Sequence, residues 1–164
     1  MKRIWNSITT LLVVLMVVLA ILLVGVRLVG LEPFVILSGS MEPTHHVGAL
    51  IYVKKVDPAE LRPGDVITFL VKDDTVVTHR VVDVIPDDQE PGTLWFSTQG
   101  DANDTVDASL VHGRNVVGKA IFSIPYLGYV SSYIQNPPGL YVAIGVGAVL
   151  LILAFLPDKK KKAN

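Results

Sequence analysis

The chain has 164 residues, 51% of them hydrophobic, with a mean hydropathy of +0.51 and a formal net charge of −1. That is too apolar for an ordinary soluble domain, and the excess gathers at the two ends, which reads as membrane spans rather than an oversized core. Cysteine is absent, so disulfides and thiolate chemistry are excluded.

Residues 1–6 form a short basic N-terminus carrying Lys2 and Arg3. From Ser7 to Val26 no residue is charged. A run of about 20 apolar residues crosses a bilayer core as a helix. Arg27 stands at its far end, where a long side chain snorkels to the headgroups, and Gly30, Glu32 and Pro33 end the helix. The first span is therefore placed at 7–30. A cleavable signal peptide also opens on Met1-Lys2-Arg3, but this apolar run is longer than an ordinary signal core, and no small-x-small site follows at Val26–Gly30.

Next comes Leu37-Ser38-Gly39-Ser40-Met41-Glu42-Pro43. Glycine lets the backbone turn sharply and proline fixes the exit. Such a turn holds a hydroxyl off the main chain and aims nearby N–H groups at one point, as a nucleophile with an oxyanion hole requires. Taken alone it is equally a common tight turn.

The segment 31–138 then reads as strands. Ala49–Val53, Val66–Val71, Val76–Val84, Thr93–Thr98 and Val116–Ile121 are β-branched or aromatic runs. Between them stand turn signals such as Arg62-Pro63-Gly64-Asp65, Pro86-Asp87-Asp88 and Glu90-Pro91-Gly92. Lys72-Asp73-Asp74 predicts a hairpin pairing the second run with the third. One short helical turn is expected near Asp57–Leu61. Ile124-Pro125-Tyr126-Leu127-Gly128-Tyr129, apolar but broken by Pro and Gly, predicts a surface segment resting on the membrane interface before the second span.

The second uncharged stretch, 139–157, has Tyr133 and Tyr141 near its start as interface anchors and Pro157 as its stop. The tail 158–164 contains Lys159, Lys160, Lys161 and Lys162. Those lysines argue for a span over a buried core helix. By the positive-inside rule both termini face the cytoplasm and residues 31–138 lie outside. That segment carries 7 Lys/Arg against 14 Asp/Glu, a net charge of −7, which argues against a nucleic-acid partner. The fold expected is a mainly β external domain, an antiparallel and partly closed sheet, flanked by two transmembrane α-helices.

Five short boxes in order resemble the type I signal peptidases. Ser38-Gly39-Ser40-Met41-Glu42-Pro43 resembles their serine box. Pro63-Gly64-Asp65-Val66-Ile67-Thr68-Phe69 resembles their strand entry, and Thr78-His79-Arg80-Val81-Val82 the box of the general base. Thr98-Gln99-Gly100-Asp101-Ala102-Asn103 resembles the Gly-Asp-Asn box. Val116-Val117-Gly118-Lys119-Ala120 with Ile124-Pro125-Tyr126-Leu127-Gly128 resembles the end of the catalytic domain. The resemblance covers 37–129. Where the common bacterial enzymes carry lysine, this chain has His79, which resembles the archaeal, endoplasmic-reticulum and sporulating-bacterium branch. Gly48-Ala49 departs from a Gly-Asp often found in relatives, a difference that touches a turn and no catalytic role.

The resemblance implies Ser40 as nucleophile and His79 as base, since a neutral imidazole accepts a proton near pH 7. Lys54, Lys55 and Lys72 leave a Ser-Lys dyad as the minor alternative. Asp101 and Asp107 are both candidates for the acid that steadies the imidazole. The His-bearing branch favours Asp107, with Asp101 as a supporting acid. The oxyanion donors implied are the N–H of Ser40 and the hydroxyl of Ser38. No cofactor is implied, and His45, His46 and His112 lack ligand spacing for a zinc site.

The expected function is cleavage of signal peptides from secreted preproteins at a membrane surface. The partners implied are preproteins, the lipid bilayer and the secretion translocon, in the cell membrane or, for a eukaryotic chain, the endoplasmic reticulum. Rival readings are a narrow-specificity membrane protease of the same family and a non-catalytic membrane subunit.

Overall fold

The computed structural model describes residues 2–72 and 75–155. The expected turn residues Asp73 and Asp74, and Pro157 with the lysines at 159–162, lie outside the described residues. The chain forms two compact units, one from residues 1–25 with 133–164 and one from Val26–Ser132.

The first unit is helical. Helix α1 spans Lys2–Leu23 and α3 spans Gly139–Phe155, and the two pack on each other within it. α1 ends earlier than expected, because the chain tightens into a 3-10 turn at Gly25–Val29 and reverses at Gly30, whose φ is +78°. No single described helix is long and apolar enough to cross a membrane. Only α3 together with α2 (Leu127–Gln135), as a bent pair, has that length and composition.

The second unit is an antiparallel sheet of seven strands: β1 Leu31–Val35, β2 Leu50–Lys54, β3 Val66–Lys72, β4 Thr75–Pro86, β5 Leu94–Gln99, β6 Val111–His112 and β7 Val116–Ile124. Their order across the sheet is β1-β2-β7-β3-β4-β5-β6. The sheet is not closed, against the partly closed form expected. Its two edges, β1 and β6, pair only with β2 and β5. β6 has just two residues, too few to zip a closing seam. Pro33 sits in β1, and an edge strand tolerates the missing N–H.

The five expected runs all form strands, shifted or extended by a few residues at their ends. β3 and β4 pair antiparallel from Val66↔Arg80 to Lys72↔Thr75, as the hairpin reading requires. The short turn expected near Asp57 is a 3-10 turn at Pro58–Glu60, capped by the Asp57 carboxylate on the Ala59 N–H at 2.9 Å. The segment 124–129, expected at the surface, contains the end of β7 and the start of α2. Pro125 precedes the helix and does not interrupt it.

Two apolar clusters hold the sheet unit. Leu61, Ile67, Phe69, Val81, Phe96 and Val111 form one, and Ile36, Ala49, Ile51 and Val53 the other. Ile67 lies opposite His79 and Phe69 stands two residues along, so the three share one face of the sheet and all are buried. A fixed point of the sheet unit is Gly48, with φ +81°, where a Cβ would lie 2.0 Å from the Tyr129 ring.

Candidate active site

Ser40 lies in a single 3-10 turn, Gly39–Met41, between β1 and β2. Met41 beneath it is 1% exposed and pins the turn to the core. Ser38 enters the turn in extended conformation, and its hydroxyl makes no capping bond there. It lies instead 3.3 Å from Ser40 Oγ. The carbonyl of Ser40 accepts the Ala102 N–H at 2.9 Å, which ties the serine turn to the loop after β5.

His79 faces the same place from β4. It is buried, with the Phe69 ring edge-on at 6.4 Å between centroids. Its Nδ1 is 2.6 Å from Asp107 Oδ2, and its Nε2 is 3.1 Å from Ser40 Oγ. A carboxylate only accepts, so Nδ1 carries the proton in the neutral ring. Nε2 is left as an acceptor for the Ser40 hydroxyl. Asp107 is held by Thr98, whose Oγ1 donates to Oδ2 at 2.6 Å while its carbonyl accepts the Asp107 N–H at 2.8 Å.

Asp101 is occupied elsewhere. Arg80 donates to both its oxygens, Nε to Oδ1 at 2.8 Å and NH2 to Oδ2 at 2.6 Å, and Thr44 Oγ1 donates to Oδ2. Arg80 also donates to the Gly64 carbonyl at 2.7 Å. The hydrogen bonds from Arg80, then those from Thr44, hold the Asp101 carboxyl below the usual carboxylate range, although partial burial opposes them. The structure thus brings Ser38, Ser40, His79 and Asp107 into one hydrogen-bonded row. Asp101 is set in an ion pair one residue further along β4.

Among the described residues the Ser40 hydroxyl has Ser38 and His79 as partners, and no lysine. His45 bonds Ser123, His46 bonds Glu42, and His112 packs on Trp95 beside Arg114. The three histidines therefore occupy separate environments.

Sequence reasoning overlooked Thr98, Arg80, Thr44 and Gly100 as parts of this site. Thr98, Gly100 and Arg80 stood inside the quoted boxes, but the contact of Arg80 depends on the β4–β5 register, in which it faces Gln99, and that of Thr98 on the loop that carries Asp107 back to it. Gly100 has a steric reason: a Cβ there would come within 2.6 Å of the Ser40 carbonyl and 3.1 Å of His79 Nε2. Beside His79 and Asp107 opens a cleft of ≈ 430 Å³, walled by Phe69, Val77, Ala108, Leu110 and Val111.

A serine on a tight turn, a histidine on a buried strand and a carboxylate behind its ring form one row, an arrangement that can carry acyl transfer. The model of the family described as signal peptidase, peptidase S26, matches residues 8–89, half of the chain. Signal peptidase I W of Bacillus subtilis is 40% identical over 124 residues, which cover 71% of this chain and 64% of that protein. The signal peptidase complex catalytic subunit SEC11C of Rattus norvegicus and that of Homo sapiens are each 33% identical over 128 residues, covering 72% of this chain and 66% of theirs. The chain thus spans just under two thirds of the length of these curated relatives. With half its length matched by that model, this chain belongs to the signal peptidase family, peptidase S26.

Proposed function

We propose that this chain is a membrane-bound serine endopeptidase that removes signal peptides from secreted preproteins. The carrying observation is the row Ser40 Oγ–His79 Nε2, His79 Nδ1–Asp107, at 3.1 and 2.6 Å. In this reading Ser40 attacks the scissile carbonyl as His79 takes its proton. His79, steadied by Asp107, passes that proton to the leaving amine, and water releases the acyl-enzyme. The Ser40 N–H and the Ser38 hydroxyl stabilise the oxyanion. Asp101, paired with Arg80, supports the loop and takes no proton.

The substrate joins as an extended strand. Between Thr75 and His79, β4 is paired by β3, whereas β5 pairs only from Arg80 onward. This supports strand addition beside the base, with alternate side chains entering apolar pockets. The membrane reading is supported by α1 and α3, which expose Leu11, Ile21, Ile144 and Ile152 and so call for an apolar surrounding. Under it the two helices anchor the chain, both termini are cytoplasmic, and residues 31–138 lie outside, in reach of the preprotein and the translocon.

The test is cleavage of a model preprotein in detergent by wild type, Ser40→Ala, His79→Ala, Asp107→Asn and Asp101→Asn. The first two variants fold and lose cleavage, and Asp107→Asn loses more than Asp101→Asn. Retained cleavage by Ser40→Ala would overturn the serine-peptidase reading, and the reverse order of the two aspartates would overturn the role given to Asp107. Protease protection in sealed vesicles tests the topology: a middle segment on the side of the termini defeats it.

A further inference from the structure

A second cleft lies away from the serine row, against edge strand β1. It has a volume of ≈ 520 Å³ and is lined by Arg27, Gly30, Leu31, Glu32, Phe34 and Lys55, with Pro33 on its floor. That size suits a small polar ligand. Between Val26 and Ser132 the chain has eight Lys/Arg, and three of them, Arg27, Lys54 and Lys55, belong to this edge. Of the others, Arg80 pairs with Asp101 and Lys119 with Asp65 at 2.6 Å, while Arg62 donates to neighbouring carbonyls and Arg114 packs on His112. Among the described residues Arg27 and Lys55 form no ion pair. In a segment with eight Lys/Arg against 14 Asp/Glu, a net charge of −6, two cations that form no ion pair and line one cleft are a site for an anion.

The neighbours identify the kind of anion. Leu28 and Val29, next to Arg27 in the same 3-10 turn, are 91% and 71% exposed. Apolar side chains beside basic ones form the pattern of a segment at a lipid–water boundary. Glu32, on the cleft wall, opposes a doubly charged phosphate monoester, but its carboxylate accepts hydrogen bonds from hydroxyls. We propose that this cleft binds the headgroup of an anionic phospholipid, a phosphate diester carrying a hydroxylated alcohol, with Arg27 and Lys55 on the phosphate and Glu32 on the hydroxyls. The proposal rests on the membrane reading above. It gives the peptidase unit a fixed lipid contact separate from the serine row.

The experiment uses the full chain in micelles holding equal phosphatidylcholine and phosphatidylglycerol, with native mass spectrometry counting the lipid retained. The expected result is retention of phosphatidylglycerol over phosphatidylcholine. The double variant Arg27→Gln/Lys55→Gln lowers that preference about thirtyfold, as loss of two basic contacts to an anionic surface implies. Glu32→Gln keeps phosphatidylglycerol and newly retains phosphatidic acid. Soluble glycerophosphoglycerol at millimolar concentration leaves the lipid in place; its displacement of the lipid would assign the cleft to free phosphodiesters and overturn the lipid source. Equal retention of both lipids, or an unchanged preference in the double variant, overturns the proposal. Preprotein cleavage in lipid-free detergent stays at the wild-type rate in these variants, so it reports separately on the peptidase reading. Failure of wild type to enter vesicles of any composition sinks the membrane reading and this proposal together.

Discussion

Thr98 grips Asp107 at both ends, its hydroxyl donating to the carboxylate at 2.6 Å and its carbonyl accepting the Asp107 N–H at 2.8 Å. The hydroxyl meets the same Oδ2 that faces His79, and Thr98 itself is fully buried. Thr98→Val keeps the shape and deletes one hydrogen bond to a charged group, which is worth about 1.5–3 kcal/mol. The expected outcome is a folded protein whose kcat falls about tenfold or more with KM nearly unchanged. Steady-state kinetics on a peptide substrate checks it, and a wild-type kcat would show that Thr98 does not orient the acid.

Gly100→Ala tests the steric half of the site. The new methyl meets the Ser40 carbonyl, a main-chain atom that has no rotamer to yield with. The serine turn must shift, and a displacement of about 1 Å costs on the order of a hundredfold in rate. The mutant is expected to unfold within a few degrees of wild type yet cleave at least a hundredfold more slowly. Gly64→Ala serves as the control, since nothing lies within 4 Å of its Cβ position, although its φ of +96° costs some stability.

Ser38→Ala separates an oxyanion role from a merely local one. The Ser38 hydroxyl makes no cap in its own turn and its partner is Ser40 Oγ. As an oxyanion donor it would be worth roughly 3–4 kcal/mol of barrier. The expected change is a fall in kcat of about a hundredfold or more, with KM and thermal stability steady. Loss of stability with unaltered kcat would instead make Ser38 a turn residue.

Asp101 is expected to matter for folding, with a defined pH dependence. Its carboxyl is held below the usual range chiefly by Arg80, so the folded state binds fewer protons than the unfolded chain between the two pKa values. The stabilisation is complete above the unfolded value near 3.9 and is lost as pH falls toward the lower folded value. At neutral pH, Asp101→Asn should therefore unfold more easily than wild type, by about 2 kcal/mol for loss of a charge-assisted pair. The gap should narrow below about pH 4. Thermal unfolding in detergent at pH 7 and pH 3 measures it, and a gap that does not depend on pH would rule out the ion pair as its source.

How much of this was legible in the chain depends on whether the signal was local. The five β-branched runs became strands because their side chains fit a half-buried pleated surface wherever they pair. β1 was hidden by Pro33, which demotes a strand everywhere except at an edge, and edge position is a property of the whole sheet. α2 was hidden by Gly128, read as a breaker. In the fold Gly128 is where the helix meets the chain before β2: its N–H donates to the Gly48 carbonyl at 3.0 Å, and a Cβ would lie 2.7 Å from Ala49 O. In the site, Ser40 and His79 stood in short boxes, while Asp107 stood outside them and was favoured over Asp101 only by the resemblance. The Arg80–Asp101 pair could not be read there, because it depends on the β4–β5 register that sets Arg80 opposite Gln99, and the Thr98 grip could not, because it depends on the path of the loop after β5.

The amide of Ala102, bonded to the Ser40 carbonyl, gives the serine turn an attachment made of backbone alone. Any amino acid but proline at position 102 supplies the same N–H. The placement of Ser40 against the loop after β5 is thus insulated from drift in the surrounding side chains. Leu110, exposed on the wall of the neighbouring cleft, can change size without touching this bond, whereas Val77 is packed on the core.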